Sequence, residues 1–146
     1  MNTIDILIAI IKQNFNFMTL RGYSFDTSKV YNENNEARIF AKLEMKNDAL
    51  NRHLIFTIYP RATTEIEIYI TDCSTDLSMN IKHYTEFKKG NVAKPTSDFI
   101  VNMNNPSLSV SEISTYLQSL FETDLKDVVY GKQWITFPTY DARDEY

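Results

Sequence analysis

The clearest pattern in the chain is an alternation with period two within residues 53–72, in which apolar side chains alternate with mostly polar ones. The alternating apolar positions are Leu54, Phe56, Ile58, Ile66, Ile68 and Ile70. Successive side chains of a strand point to opposite faces, so each half of this stretch is expected to be a strand with one apolar face. Pro60 presets a turn dihedral and lacks an amide donor, and with Arg61 and Ala62 it separates the two halves. The pattern predicts a β-hairpin at the centre of a sheet, with a polar and acidic second face.

Two other stretches show the spacing of three and four residues that places side chains on one face of a helix. In residues 3–20 the spaced apolar positions are Ile4, Leu7, Ile8, Ile11, Phe15 and Met18. Gly22 follows them and suits a left-handed helix cap. The second helix is expected to start at the capping box Ser109–Glu112 and to stop at Gly131, with Asp124 dividing it into two pieces.

Further segments extend the hairpin into a sheet. Residues 38–45 alternate as a strand does, and short strands are predicted within 28–31 and 99–103. Residues 77–87 start with the same alternation, but its phase breaks at His83–Tyr84. A strand is favoured for this segment, and a helix is the alternative.

The order of these elements predicts an α+β fold in a single domain, residues 1–146. Strands that follow one another through short turns pair antiparallel. The expected architecture is an antiparallel β meander of about four to five strands. An N-terminal and a C-terminal helix are expected to flank the meander and to cover its apolar face.

Composition narrows the classes of function. The chain has a formal charge of -4, whereas a nucleic-acid-binding protein normally carries a surplus of Lys and Arg on one face, so no nucleic-acid partner is expected. No apolar run reaches the roughly 18 residues that a membrane-spanning helix needs, and no basic leader precedes the first helix. The single cysteine, Cys73, excludes an internal disulfide, and a reduced cytoplasmic protein is expected.

Catalytic signatures are missing from the sequence. It contains no phosphate-binding glycine loop, nucleophile elbow or zinc-protease motif. His53 and His83 lie in different predicted elements without the spacing of zinc ligands, and Cys73 has no local signature of a nucleophile. A non-enzymatic protein without metal or cofactor is therefore expected.

Carboxylates gather on the second strand of the hairpin and just after it. Glu65 and Glu67 share the polar face at about 7 Å, and Asp72 and Asp76 follow them. Paired carboxylates of this kind form a solvated strand face, a docking surface for a basic partner, or a site for magnesium or acid–base chemistry. All three interpretations are open at the level of sequence, and the first two are favoured.

Tyrosines accompany these carboxylates. Tyr59 and Tyr69 are expected on the same polar face, where tyrosine supplies contact area and a polar tip for a protein partner. The alternative is that they form cross-strand pairs under a loop or helix. A second acidic and aromatic group ends the chain, with the carboxylates Asp141, Asp144 and Glu145.

The segment Leu125–Ile135 reads LKDVVYGKQWI, and Phe137–Pro138 and the acidic, tyrosine-containing end follow it. This region resembles the C-terminal region of small bacterial immunity proteins, which neutralise the toxin domains of contact-dependent growth inhibition and other polymorphic toxin systems. The resemblance covers about 20 residues and implies a toxin-binding protein, but it carries over no particular toxin and no site residue.

The residues and the resemblance together favour an immunity protein that binds a basic nuclease-type toxin domain. The residues expected to contact the partner are Tyr59, Glu65, Glu67, Tyr69, Asp72, Asp141, Asp144 and Glu145. The alternatives are a secretion chaperone, a phage-encoded inhibitor and, least favoured, a small metal-dependent hydrolase. No nucleic acid and no membrane is expected as a partner.

Overall fold

The computed structural model describes residues 2–32, 39–90 and 99–137. Within these ranges the elements are α1 (Thr3–Asn14), β1 (Ser24–Asn32), β2 (Ile39–Asn47), β3 (Arg52–Pro60), β4 (Thr64–Asp72), β5 (Leu77–Asn80), α2 (Ile81–Lys88), β6 (Phe99–Val101), α3 (Pro106–Glu122) and α4 (Lys126–Val129). Short 3₁₀ helices follow α1 at Asn16–Arg21 and β2 at Asp48–Leu50. None of the helices in the described ranges is long and apolar enough to cross a membrane.

The six described strands form one antiparallel sheet in the order β1-β2-β3-β4-β5, and β6 also pairs with β4. β5 pairs with Tyr69–Asp72 and β6 with Thr64–Ile66, so these two short strands share one edge of β4. α2 lies between them in the chain. The predicted α+β fold, a meander between an N-terminal and a C-terminal helix, is confirmed.

Alternation along the strands divides the sheet into two faces. The core face carries Ala41, Leu43, Met45, Leu54, Phe56, Ile58, Ile66, Ile68 and Ile70, all buried. These side chains belong to one hydrophobic cluster with the apolar residues of α1, α3 and α4, which cover this face. The opposite face, which we call the outer face, carries the intervening residues of the same strands.

Residues 77–87 contain a strand and a helix in succession. β5 covers the first four of these residues, and α2 begins at Ile81. The Asn80 side chain accepts a hydrogen bond from the amide of His83 at 3.1 Å and so caps the helix where the alternation breaks. The prediction of a strand over residues 77–87 is therefore correct only for residues 77–80.

The start of the second long helix differs from the prediction. α3 begins at Pro106, and the side chain of Asn105 caps it by accepting from the amide of Leu108 at 3.3 Å. The Ser109 hydroxyl instead accepts from the amide of Asn102 at 2.9 Å, so the capping box predicted there is wrong. The predicted division near Asp124 is confirmed, because α3 and α4 are separate helices.

Candidate functional site

The polar side chains of the central hairpin lie on the outer face. Glu65 is directly opposite Tyr59, and Glu67 and Tyr69 follow at alternate positions of β4. The Tyr59 hydroxyl donates to Oε1 of Glu67 at 3.3 Å. All four side chains are half-buried. The structure thus brings Tyr59, Glu65, Glu67 and Tyr69 together on one face, as the alternation predicted.

Asp72 does not belong to this group. It lies an even number of positions from Ile70, which puts its side chain on the core face, where it is buried. Its carboxylate is 3.0 Å from Nη1 of Arg52, the residue directly opposite on β3. Hydrogen bonds from the side chains of Ser74 and Thr75 lower the pKa of Asp72. Its expected place in the outer acidic surface is therefore wrong.

The tail carboxylates Asp141, Asp144 and Glu145 lie outside the described residues. Asp76, the fourth acid of the predicted group, is exposed in the turn after β4 and has a left-handed backbone with φ 61°. Of the predicted acidic group, Glu65 and Glu67 are therefore the members that the structure places on the outer face.

The remaining candidates for chemistry are separate from this surface. His53 lies on the outer face, with Nδ1 2.6 Å from Oε1 of Glu44. Partial desolvation and the neighbouring Asp72 carboxylate raise the pKa of the Cys73 thiol, which disfavours the reactive thiolate. Within the described ranges, no three His, Cys, Asp or Glu side chains are placed to hold a metal ion.

An aromatic row, consisting of Tyr31, Phe40 and Tyr59, crosses the outer face next to the carboxylates. The rings of Tyr31 and Phe40 are stacked, with centroids 4.8 Å apart and planes 9° apart. The rings of Phe40 and Tyr59 are 5.9 Å apart and tilted by 34°. Glu65 continues the row on β4, and Ile100 of β6, 57% exposed, lies opposite Glu65.

Cations border the aromatic row on the β1–β2 side. Lys29 and Lys42 are direct cross-strand partners, and their Nζ atoms lie 5.2 Å and 5.9 Å from the ring of Tyr31. Like charges in such a pair destabilise a sheet, and cation–π attraction, worth about 0.5–1 kcal/mol at an exposed site, offsets part of that cost. Among the described residues the lysines that form ion pairs are Lys46, Lys82 and Lys89, and neither Lys29 nor Lys42 is one of them.

The end of the outer face nearest the β3–β4 turn is consequently divided by charge, while Glu44 and His53 lie further along β2 and β3. Lys29 and Lys42 form its basic side on β1 and β2, and Glu65 and Glu67 form its acidic side on β4. The position of Lys42 on the outer face could be predicted from the sequence, because Lys42 alternates with the apolar residues of β2. The position of Lys29 could not be predicted in this way, since an irregularity between Phe25 and Ser28 shifts the register of β1.

A second group of polar side chains lies at the other face, which we call the C-terminal clamp: Tyr23, Arg52 and Asp72. Nε of Arg52 donates to the Val128 carbonyl at 2.8 Å, and the Tyr23 hydroxyl donates to the Val129 carbonyl at 2.6 Å. All three clamp side chains are buried, and burial raises the pKa of the Tyr23 phenol. The clamp fastens α4 to the sheet and has a structural role.

Comparison with known family models, curated protein sequences and solved structures gave no match to the chain. Function is therefore inferred from the side chains of the outer face.

Proposed function

We propose that the chain is a non-enzymatic immunity protein of the cytoplasm that binds and neutralises a cognate, basic nuclease-type toxin domain. The observation that carries the proposal is the group Tyr59, Glu65, Glu67 and Tyr69 on one face of the sheet. The face lies opposite α1 and α3, so a partner approaching it meets strand side chains rather than those two helices.

The chemistry of this group suits a basic partner. A nuclease binds phosphates with Lys and Arg, and two carboxylates about 7 Å apart on one strand match such a groove. The hydrogen bond from Tyr59 orients Glu67 before binding, which reduces the entropy lost on association. The net charge of -4 adds long-range attraction and accelerates encounter.

The tail carboxylates Asp141, Asp144 and Glu145 remain part of the proposal as a second acidic contact. A variant that lacks the three charges but keeps the outer face separates their contribution from that of Glu65 and Glu67.

The test starts with a tagged full-length chain as bait in a lysate of the source organism, washed at low and at high salt, with mass spectrometry of the retained proteins. A retained basic domain is then expressed alone and together with the chain. We expect the domain to arrest growth by itself and co-expression to restore growth. Glu65→Lys/Glu67→Lys should weaken binding at least about tenfold, since close interfacial charge pairs contribute 1.5 kcal/mol or more.

Glu112→Lys/Asp124→Lys is the matched control. It changes the net charge by the same amount at exposed positions in and just after α3 and should leave affinity nearly unchanged. Full affinity of a folded Glu65→Lys/Glu67→Lys protein would remove the acidic side from the binding surface. Capture of a secreted effector without toxicity would instead indicate the chaperone alternative.

A further inference from the structure

One row of side chains across the outer face carries both signs of charge in a fixed order. Lys29, Lys42, Thr57 and Glu67 are successive cross-strand partners on β1, β2, β3 and β4. With strands about 4.8 Å apart, the positive end of the row is roughly 14 Å from its negative end. The aromatic row lies directly beside it and ends in Glu65. Across these two rows the outer face is basic on β1 and β2 and acidic on β4. Glu44, which contacts His53, lies beyond Lys42 on β2, and the Arg61 guanidinium lies over the ring of Tyr59.

We propose that this face binds a second copy of the chain in a two-fold symmetric dimer, with the basic side of each protomer against the acidic side of the other. A two-fold axis parallel to the strands and between β2 and β3 places β1 over the partner's β4 and β2 over the partner's β3. Lys29 then faces Glu67, and Phe40 faces Tyr59. Two packed sheets lie about 10 Å apart, a distance that lysine and glutamate side chains span together.

The order of charges selects this partner over others. An anionic polymer that neutralised Lys29 and Lys42 would meet Glu65 and Glu67 two strands further on. A wholly basic surface would meet the two lysines. A surface with both signs in the opposite order matches both rows, and the chain's own rows have that order when they are turned about the stated axis. An axis perpendicular to the strands would place lysine over lysine, so the charges also define the orientation.

This inference goes beyond the proposed function and does not depend on it. The dimer would cover the acidic side that is proposed to bind the toxin, so self-association and toxin binding would compete. Lys29→Glu/Lys42→Glu separates the two, because it removes the basic side and leaves Glu65 and Glu67 in place.

Sedimentation equilibrium of the full-length chain over a range of protein concentrations tests the dimer. We expect a monomer–dimer equilibrium that weakens with added salt. Lys29→Glu/Lys42→Glu and Glu65→Lys/Glu67→Lys should each weaken self-association at least about tenfold, since like charges then face each other twice. An equimolar mixture of the two variants should form a 1:1 heterodimer, because every contact again joins opposite charges.

Lys12→Glu/Lys126→Glu is the charge-matched control on the helices and should dimerise like the unaltered chain. If circular dichroism shows that a charge-reversal variant is unfolded, Lys29→Gln/Lys42→Gln replaces it in the experiment. This variant removes the attraction without adding repulsion, so it should weaken the dimer less than charge reversal does. A chain that stays monomeric at every concentration overturns the proposal. If such a monomer binds a single-stranded oligonucleotide, the partner of the basic side is an anionic polymer and not a second copy of the chain. Dimerisation without heterodimer formation by the mixed variants overturns the proposed interface.

Discussion

Of the three arginines that lie over aromatic rings in the described residues, Arg52 and Arg61 have the most different surroundings. The guanidinium carbon of Arg52 is 5.3 Å from the ring centre of Trp134, and that of Arg61 is 4.5 Å from the ring centre of Tyr59. Arg52 is buried and has Asp72 and the Val128 carbonyl as further partners, whereas Arg61 is exposed in the turn after β3. The buried contact between an arginine and an aromatic ring therefore stabilises the fold, whereas the exposed contact of the same kind remains accessible to a partner.

The comparison extends to the regions around the two arginines. In the C-terminal clamp every charge is desolvated and must keep its partner, because an unpaired buried charge costs several kcal/mol. On the outer face, charges are solvated, and surface pairs there contribute about 0–1 kcal/mol. Substitutions in the clamp should therefore change stability, and substitutions on the outer face should change association.

The largest effect is expected for Arg52→Met. The substitution leaves the Asp72 carboxylate buried without its cation and removes the Arg52 donor from the Val128 carbonyl, which keeps the amide of Gly131. The free energy of unfolding should therefore fall by at least about 3 kcal/mol. Urea unfolding followed by the fluorescence of Trp134, the single tryptophan, measures the change.

Arg61→Met is the matched control for this experiment. It removes an arginine from an aromatic ring at an exposed position, and its unfolding free energy should stay within about 0.5 kcal/mol of the unaltered chain. Equal losses in the two variants would contradict the distinction between the buried and the exposed arginine.

Tyr23→Phe should produce an intermediate effect. It deletes only the hydroxyl that donates to the Val129 carbonyl and keeps the buried ring. The cost of leaving that carbonyl unsatisfied is about 1–2 kcal/mol, measured by the same urea titration. Tyr116→Phe, at a tyrosine that is 44% exposed on α3, should cost far less. An unchanged free energy of unfolding in Tyr23→Phe would show that water replaces the hydroxyl as the donor to this carbonyl.

The smallest effect is expected for Lys29→Gln/Lys42→Gln at protein concentrations low enough for the monomer. Removing two like charges that face each other should leave the unfolding free energy unchanged or raise it by up to about 0.5 kcal/mol. Thermal unfolding measures the difference. Lys46→Gln is the contrast, because Lys46 is 2.9 Å from Asp26 and its loss should lower Tm. A clear fall in Tm of the double variant would mean that the two lysines stabilise the sheet.

Alternation along the chain was sufficient to predict the central strands β2, β3 and β4 and the outer side chains of the hairpin. The same spacing argument applied to Asp72 would have placed it on the core face, because it follows Ile70 by two positions. The start of α3 was misplaced because Ser109 lies inside the helix, while Asn105 supplies the cap. Both errors concern local signals that were present in the sequence.

Other features depend on contacts between distant parts of the chain. The partners of Arg52 and Tyr23 are carbonyl groups of α4, and no side-chain pattern marks a carbonyl as an acceptor. The basic side of the outer face depends on the register of β1, which an irregularity shifts. These arrangements follow from tertiary structure and could not be predicted from periodicity.

The long sequence separation within the C-terminal clamp has a consequence for synthesis of the protein. Its two hydrogen bonds to α4 join residues 76 and 106 positions apart. A chain leaving the ribosome presents Arg52 and Tyr23 well before their acceptors exist, while the meander pairs its strands through nearby contacts. Folding is completed only when residues 125–129 have emerged. A nascent chain stalled before Val128 therefore exposes part of its core to chaperones and proteases.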